Sequence, residues 1–181
     1  RGGRASLIVE AMKTVLVVLG TRPEAVKLAP VLRAARRHDD WRVVVCNTGQ
    51  HRELLRPVLR GCDIRPDVDL EVMRPGASLE ELEARLRVGL RTTIAAHRPC
   101  AVMGQGDTSS VVAAAVAAEE SGVPFVHVEA GLRTGDLQHP HPEEAHRIRV
   151  AQLAALHLAP TSRARDNLRH EGVRDDAIVV T

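Results

Sequence analysis

Three acidic side chains and two cations stand where this chain turns from an apolar run into a new element. Glu129 follows Val123-Pro-Phe-Val-His-Val128, and Asp107 follows Cys100-Ala-Val-Met103 across a Gly-Gln-Gly turn. Glu143 follows Pro142 at the start of a helical pattern, with Glu144 beside it. Arg22 lies in Gly20-Thr-Arg-Pro-Glu24, and Lys27 sits about one helical turn beyond it. Carboxylates whose surroundings separate their proton affinities divide acid and base roles. An arginine with a lysine suits phosphate. Together these types point to proton transfer on an anionic substrate. Parallel strands present their carboxyl ends to one side, so turns remote in sequence can converge there.

The connection after Glu129 is built as a shaped loop. Gly131 and Gly135 admit backbone angles closed to other residues. Pro140 and Pro142 stiffen the chain, and Pro142 fits the first position of a helix. Glu143 and Glu144 then fall in the first turn, where the helix dipole favours negative charge.

Each residue also has a plainer reading. Asp107 could cap the following helix together with Thr108. Glu143 could pair with Arg147 four residues on. Arg22 and Lys27 could simply be solvated. Gly104-Gln-Gly106 lacks the third glycine of a dinucleotide fingerprint, since Ser109 stands there, so no nicotinamide cofactor is expected. His139, His141 and His146 match no standard metal-ligand spacing, and no metal is expected either. From spacing alone the reading is an α/β domain with an anion-binding edge.

The elements that must position these groups alternate along the chain. Apolar runs at Thr14–Leu19, Trp41–Cys46, Val68–Val72, Cys100–Met103, Val123–Val128, Leu156–Ala159 and Ala177–Thr181 read as strands. Helices are expected after Thr21, carrying Val26, Ala29 and Leu32 toward the sheet with Pro30 kinking or splitting it, and after His51, ending near Gly61. The clearest helix carries Leu79, Leu82, Leu86, Leu90 and Ile94 as one stripe, with Glu81–Arg85 and Glu83–Arg87 pairs on its wet side. Further helices are expected over Ser109–Glu120, Pro142–Leu153 and Thr161–His170. The fold class is α/β, a doubly wound parallel sheet of Rossmann-like form.

Composition narrows the partners. The chain has 181 residues, 44% of them hydrophobic, enough for one ordinary domain with a core. Net charge is +2 with mixed signs, and Trp41 and Phe125 are the aromatic residues, so neither a nucleic-acid footprint nor a base-stacking platform is expected. Cys46, Cys62 and Cys100 form neither a disulfide framework nor a zinc site, which favours a reducing, cytoplasmic setting. No apolar run reaches membrane-spanning length, and no membrane partner is expected. Residues 1–12 read as a non-structural leader, and 13–181 as an N-terminal Rossmann-like domain. The terminal strand has nothing after it, as in a piece of a longer protein.

Gly-Thr-Arg-Pro-Glu-Ala-Val-Lys-Leu-Ala-Pro at 20–30, Thr-Gly-Gln-His-Arg-Glu at 48–53, Gly-Asp-Thr at 106–108, His-Val-Glu-Ala-Gly-Leu-Arg-Thr-Gly-Asp at 127–136 and Pro-Glu-Glu at 142–144 resemble the non-hydrolysing UDP-N-acetylglucosamine 2-epimerases. Order and intervals agree from about Lys13 to Thr181. The resemblance implies one half of a two-domain, glycosyltransferase-B-like fold, with the C-terminal nucleotide-binding domain absent. It implies an isomerase of UDP-N-acetylglucosamine and UDP-N-acetylmannosamine: the C2 proton and UDP leave to give a 2-acetamidoglucal, then return with the proton on the other face.

Asp107, Glu129 and Glu143 would be the acid/base carboxylates, and Arg22, Lys27 and Arg133 the substrate-binding cations. Gln50 and His51 match the region that binds a second, activating UDP-N-acetylglucosamine. Members are commonly homodimers. The hydrolysing branch tends to carry Gly-Asp-Arg, against Gly-Asp-Thr108 here. Other UDP-2-acetamido sugars, or half of a glycosyltransferase of the same architecture, are the alternatives. His141 replaces a bulky aromatic or apolar residue, and His146 replaces the family's asparagine, a change expected to alter how Glu143 is held; if these histidines titrate near neutrality they would give a pH dependence. With its second half missing, the fragment alone is expected to be inactive.

Overall fold

The computed structural model of the protein describes residues 12–50, 52–74 and 76–181. His51 lies outside them, as does the expected leader over 1–12 apart from Met12. Strands and helices alternate as β1 (Lys13–Leu19), α1 (Arg22–Ala35), β2 (Trp41–Asn47), α2 (Arg52–Gly61), β3 (Val68–Asp69), α3 (Leu79–His97), β4 (Ala101–Gln105), α4 (Ser109–Glu120), β5 (Phe125–Val128), α5 (Glu143–Leu153), β6 (Leu156–Ala159), α6 (Ser162–His170) and β7 (Ile178–Val180). The strands form one parallel sheet in the order β3-β2-β1-β4-β5-β6-β7. The winding direction reverses between β1 and β4, and a crevice opens at the carboxyl ends of such a pair.

From Val15 to Leu19, β1 is apolar on both faces and packs into cores on each side of the sheet. Leu16 and Val18 join Val44, Cys46, Leu86, Leu90, Val111 and Phe125 in one core, while Val17 and Leu19 join Val45, Leu28, Leu32 and Leu55 in the other. A smaller core of Ala130, Ala151, Ala159, Ala164, Leu168 and Ile178 seats α6 against β6 and β7. All five alanines of α4 are buried, and their small size lets this helix lie close to α3 and the sheet.

Several expectations needed correction. In α1 the buried stripe is Ala25, Leu28, Ala29 and Leu32, at helical spacing, which leaves Val26 at 53% exposure. Pro30 does not split α1: it lies on the exposed side, where the carbonyl it leaves unpaired can meet water. In α3 the buried stripe runs through Leu82, Leu86, Leu90 and Ile94, with the side chain of Leu79 outside the description. The two expected ion pairs on its wet side do not form. Glu81 instead closes a capping box with Ser78, Arg85 reaches the Val72 carbonyl, and Arg87 pairs with Glu120 of α4. β4 includes Gly104 and Gln105, which had read as turn. Phe125 fills the space a side chain at Gly104 would occupy, so glycine here serves strand packing.

Candidate active site

Arg22 and Lys27 enter from the first two turns of α1, Asp107 from the β4–α4 turn and Glu129 from the end of β5, all on one rim of the sheet. The Gly106 N–H donates to the Val128 carbonyl at 3.0 Å, so the turns bearing Asp107 and Glu129 are immediate neighbours. Glu129 has φ of +64°, a left-handed conformation that costs a non-glycine residue roughly 1–3 kcal/mol. Its carboxylate lies 2.5 Å from Lys27 Nζ and accepts a hydrogen bond from the Gln105 amide. Gln105 is buried, and its Oε1 has no partner among the described residues.

Asp107 is gripped from α5. Arg147 Nε and Nη2 donate to Asp107 Oδ2 at 2.8 and 2.7 Å, and Nη1 donates to Glu144 at 3.1 Å. His146 Nδ1 lies 2.7 Å from the Asp107 carbonyl, which can only accept, so this nitrogen carries the proton. Both plainer readings therefore give way. Thr108, rather than Asp107, caps α4 by accepting from the Val111 N–H, and Arg147 pairs with Glu144 rather than Glu143. Glu143 and Arg22 have no hydrogen-bond or ionic partner among the described residues, which leaves their charges available to a ligand.

Two further expected residues, Arg133 for substrate and Gln50 for a second ligand, are engaged by the protein itself. Arg133 is held by Glu171 at 2.7 Å through two nitrogens, and also donates to the Leu132 carbonyl, so it braces the loop against α6. Gln50 accepts from the Ser110 hydroxyl at 2.7 Å, tying its loop to the first turn of α4. Five hollows on the described surface lie elsewhere, and none of these is lined by Lys27, Asp107, Glu129 or Glu143. Glu129 and Asp107 are thus partly exposed at the rim rather than enclosed in one of these hollows. Among the described residues no group of three or more His, Cys, Asp or Glu is placed to hold a metal ion, and no helix is long and apolar enough to cross a membrane.

Sequence reasoning missed the supporting residues. Glu144 is buried, which by itself would raise its pKa. Hydrogen bonds from the Gly135 and Thr134 N–H groups and from Arg147 outweigh that and hold it below the ordinary carboxylate range. Its three-residue spacing to Arg147 was the available signal. Glu24 is also buried, and desolvation pushes its pKa up despite hydrogen bonds from Thr108, Gly20 and Thr21. His127, buried on β5, is driven down to about 4 by desolvation, against the opposing hydrogen bond to the Gly106 carbonyl.

The family model described as UDP-N-acetylglucosamine 2-epimerase matches residues 33–181. The chain belongs to the UDP-N-acetylglucosamine 2-epimerase family. A Ralstonia nicotianae protein named "Probable UDP-N-acetylglucosamine 2-epimerase" is 52% identical over 170 residues, covering 94% of this chain and 45% of that protein. The crystal structure of the Neisseria meningitidis UDP-GlcNAc 2-epimerase bound to UDP-GlcNAc superimposes with a TM-score of 0.90 at 41% identity, over 93% of this chain and 45% of that one. MurG from Acinetobacter baumannii gives a TM-score of 0.66 at 13% identity over 93% of this chain and 45% of its own, and shares the fold alone. The chain thus spans about half the length of the relatives it matches.

Proposed function

We propose that this chain is the N-terminal half of a non-hydrolysing UDP-N-acetylglucosamine 2-epimerase, and that it supplies the acid/base wall of the active site. One observation carries the reading: Glu129 is held in a strained left-handed conformation against Lys27 and Gln105, beside the turn that presents Asp107. Strain of this kind persists where surrounding contacts over-determine a residue, and it concentrates at functional sites.

In the forward direction a carboxylate among Asp107, Glu129 and Glu143 takes the C2 proton, the C1–oxygen bond breaks, and UDP departs from a 2-acetamidoglucal. Re-addition of UDP at C1, with a proton delivered to the other face of C2, completes the epimerisation and balances the atoms. Arg22 and Lys27 stabilise the charge developing on the departing diphosphate. The Gly-Asp-Thr108 turn supports this branch over the hydrolysing one. The likeness of Thr-Gly-Gln-His-Arg-Glu at 48–53 to the family supports a second UDP-N-acetylglucosamine acting as an activator near Gln50 and His51, and the family likeness supports a homodimer. The unpaired thiols of Cys46, Cys62 and Cys100 support a cytoplasmic setting.

The test is to complete the chain to the relatives' length and incubate it with UDP-N-acetylglucosamine in D2O, following the sugar by proton NMR. UDP-N-acetylmannosamine with deuterium at C2 is expected. Glu129→Gln should slow its appearance by about a hundred-fold or more. A folded protein giving neither epimer nor deuterium exchange would overturn the proposal.

A further inference from the structure

The cation turn and the carboxylate turn are joined by a side chain that neither reaches solvent nor appears among the groups assigned above. Glu24 is 1% exposed. Its Oε2 accepts from the Gly20 and Thr21 N–H groups at 2.6 and 2.8 Å, and its Oε1 lies 2.5 Å from Thr108 Oγ1. N–H groups at a strand-to-helix turn commonly serve a ligand's phosphate. Here the chain's own carboxylate occupies them, which leaves recognition of anionic charge at this turn to the Arg22 and Lys27 side chains.

Thr108 works in two directions at once. Its hydroxyl oxygen accepts from the Val111 N–H at 3.3 Å and so fixes the start of α4, directly after Asp107. Its other contact is Glu24, on the first turn of α1 between Arg22 and Lys27. The two turns are pressed together: a side-chain carbon added at Gly20 would collide with Thr48 Oγ1 and Ser110 Oγ. Lys27 in turn contacts Glu129 at 2.5 Å. The path from Asp107 through Thr108 to Glu24, along the backbone of α1 to Lys27, and on to Glu129 therefore spans the reversal point of the sheet, with hydrogen bonds at Thr108–Glu24 and Lys27–Glu129.

We propose that Glu24 is a positioning residue for the epimerisation: acting through Thr108, it sets the separation between the α1 cations and Asp107 without touching substrate. The proposal rests on the epimerase reading. A displacement of about 1 Å in reacting groups costs on the order of a hundred-fold in rate, so the clamp acts mainly on kcat.

The experiment uses the chain completed to the relatives' length and compares wild type with Thr108→Val, Thr108→Ser, Glu24→Ala and the Glu24→Ala/Thr108→Val pair. Circular dichroism and Tm give the folded fraction, and turnover is normalised to it. Thr108→Val should lower kcat by about ten-fold or more with KM changed by less than about two-fold, while Thr108→Ser, which keeps the hydroxyl, should restore kcat to within about two-fold. If both residues act through one contact, the paired variant should be no slower than Glu24→Ala alone. Should Glu24→Ala fail to fold, the Thr108 series still decides. Thr108→Val with wild-type kcat, or with kcat lost equally in Thr108→Ser, overturns the proposal. A folded wild type that does not epimerise removes the functional reading and this inference with it; an active wild type with an indifferent Thr108→Val removes only the inference.

Discussion

Lys27 and His127 show how differently two titratable side chains of one rim contribute. The Lys27–Glu129 pair is half open to water on the lysine side, so its net contribution to stability is under about 1 kcal/mol. Under the proposed epimerase reading its value lies in chemistry, where a fixed cation beside a carboxylate would stabilise charge on a departing diphosphate. In the completed enzyme Lys27→Met should lower kcat by about a hundred- to a thousand-fold and leave Tm nearly unchanged. Retention of a tenth of wild-type kcat would contradict this. His127 behaves in the opposite way. Its Nε2 donates to the Gly106 carbonyl and its Nδ1 has no partner among the described residues, so the ring is held neutral with a pKa of about 4. A depressed basic group stabilises the fold above its unfolded pKa, near 6.5, and that stability is lost as pH falls from there toward 4. The loss amounts to about 3 kcal/mol over that interval. His157, also lowered by burial, adds with the same sign, whereas Glu24, raised by burial, acts with the opposite one. Urea titrations from pH 7.5 to 4.5 should therefore show a shallower decline in His127→Asn than in wild type, and parallel curves would refute the assignment.

Between elements, the loop from Glu129 to Pro142 is fixed by backbone contacts as much as by side chains. Gly131 has φ of +84°, and a side-chain carbon there would run into the Ala164 carbonyl and the Leu168 side chain of α6. The Gly131 carbonyl in turn accepts from Asn167 at 2.9 Å. Gly131→Ala combines a disallowed backbone angle with a steric collision and should cost about 3 kcal/mol, measured by urea unfolding. A loss below about 1 kcal/mol would show that α6 can move away. The periodic pattern made α3 legible before any coordinates, because a long apolar stripe has one consistent face. It placed Val26 on the wrong side of α1, where apolar residues occupy more than one face and only the angle of docking selects Ala25, Leu28 and Leu32.

Taken as a whole, the molecule presents its carboxylates and cations on an open surface, although such chemistry needs water excluded and charges held at low dielectric. Under the proposed reading, a second wall from a chain of the relatives' length would complete the cleft. Purified 1–181 should unfold cooperatively and yet give no epimerisation above background, with activity appearing when the chain is completed to the relatives' length. Turnover by 1–181 comparable to a full-length relative would count decisively against that picture.

By itself the sequence determined the alternation of strands and helices, the parallel sheet, and the turns that carry Arg22, Lys27, Asp107 and Glu129. Apolar periodicity and turn residues are local signals, and each can be read within a dozen or so positions. Partner choice was decided only by the tertiary structure. Lys27 meets Glu129 across 102 positions, Glu24 meets Thr108 across 84, and Arg147 takes Asp107 across 40 while leaving Glu143 unengaged. Those pairings follow from strand order and from the angle at which each helix docks on the sheet. No local pattern encodes either quantity, which is why the carboxylates were legible beforehand and the residues that hold them were not.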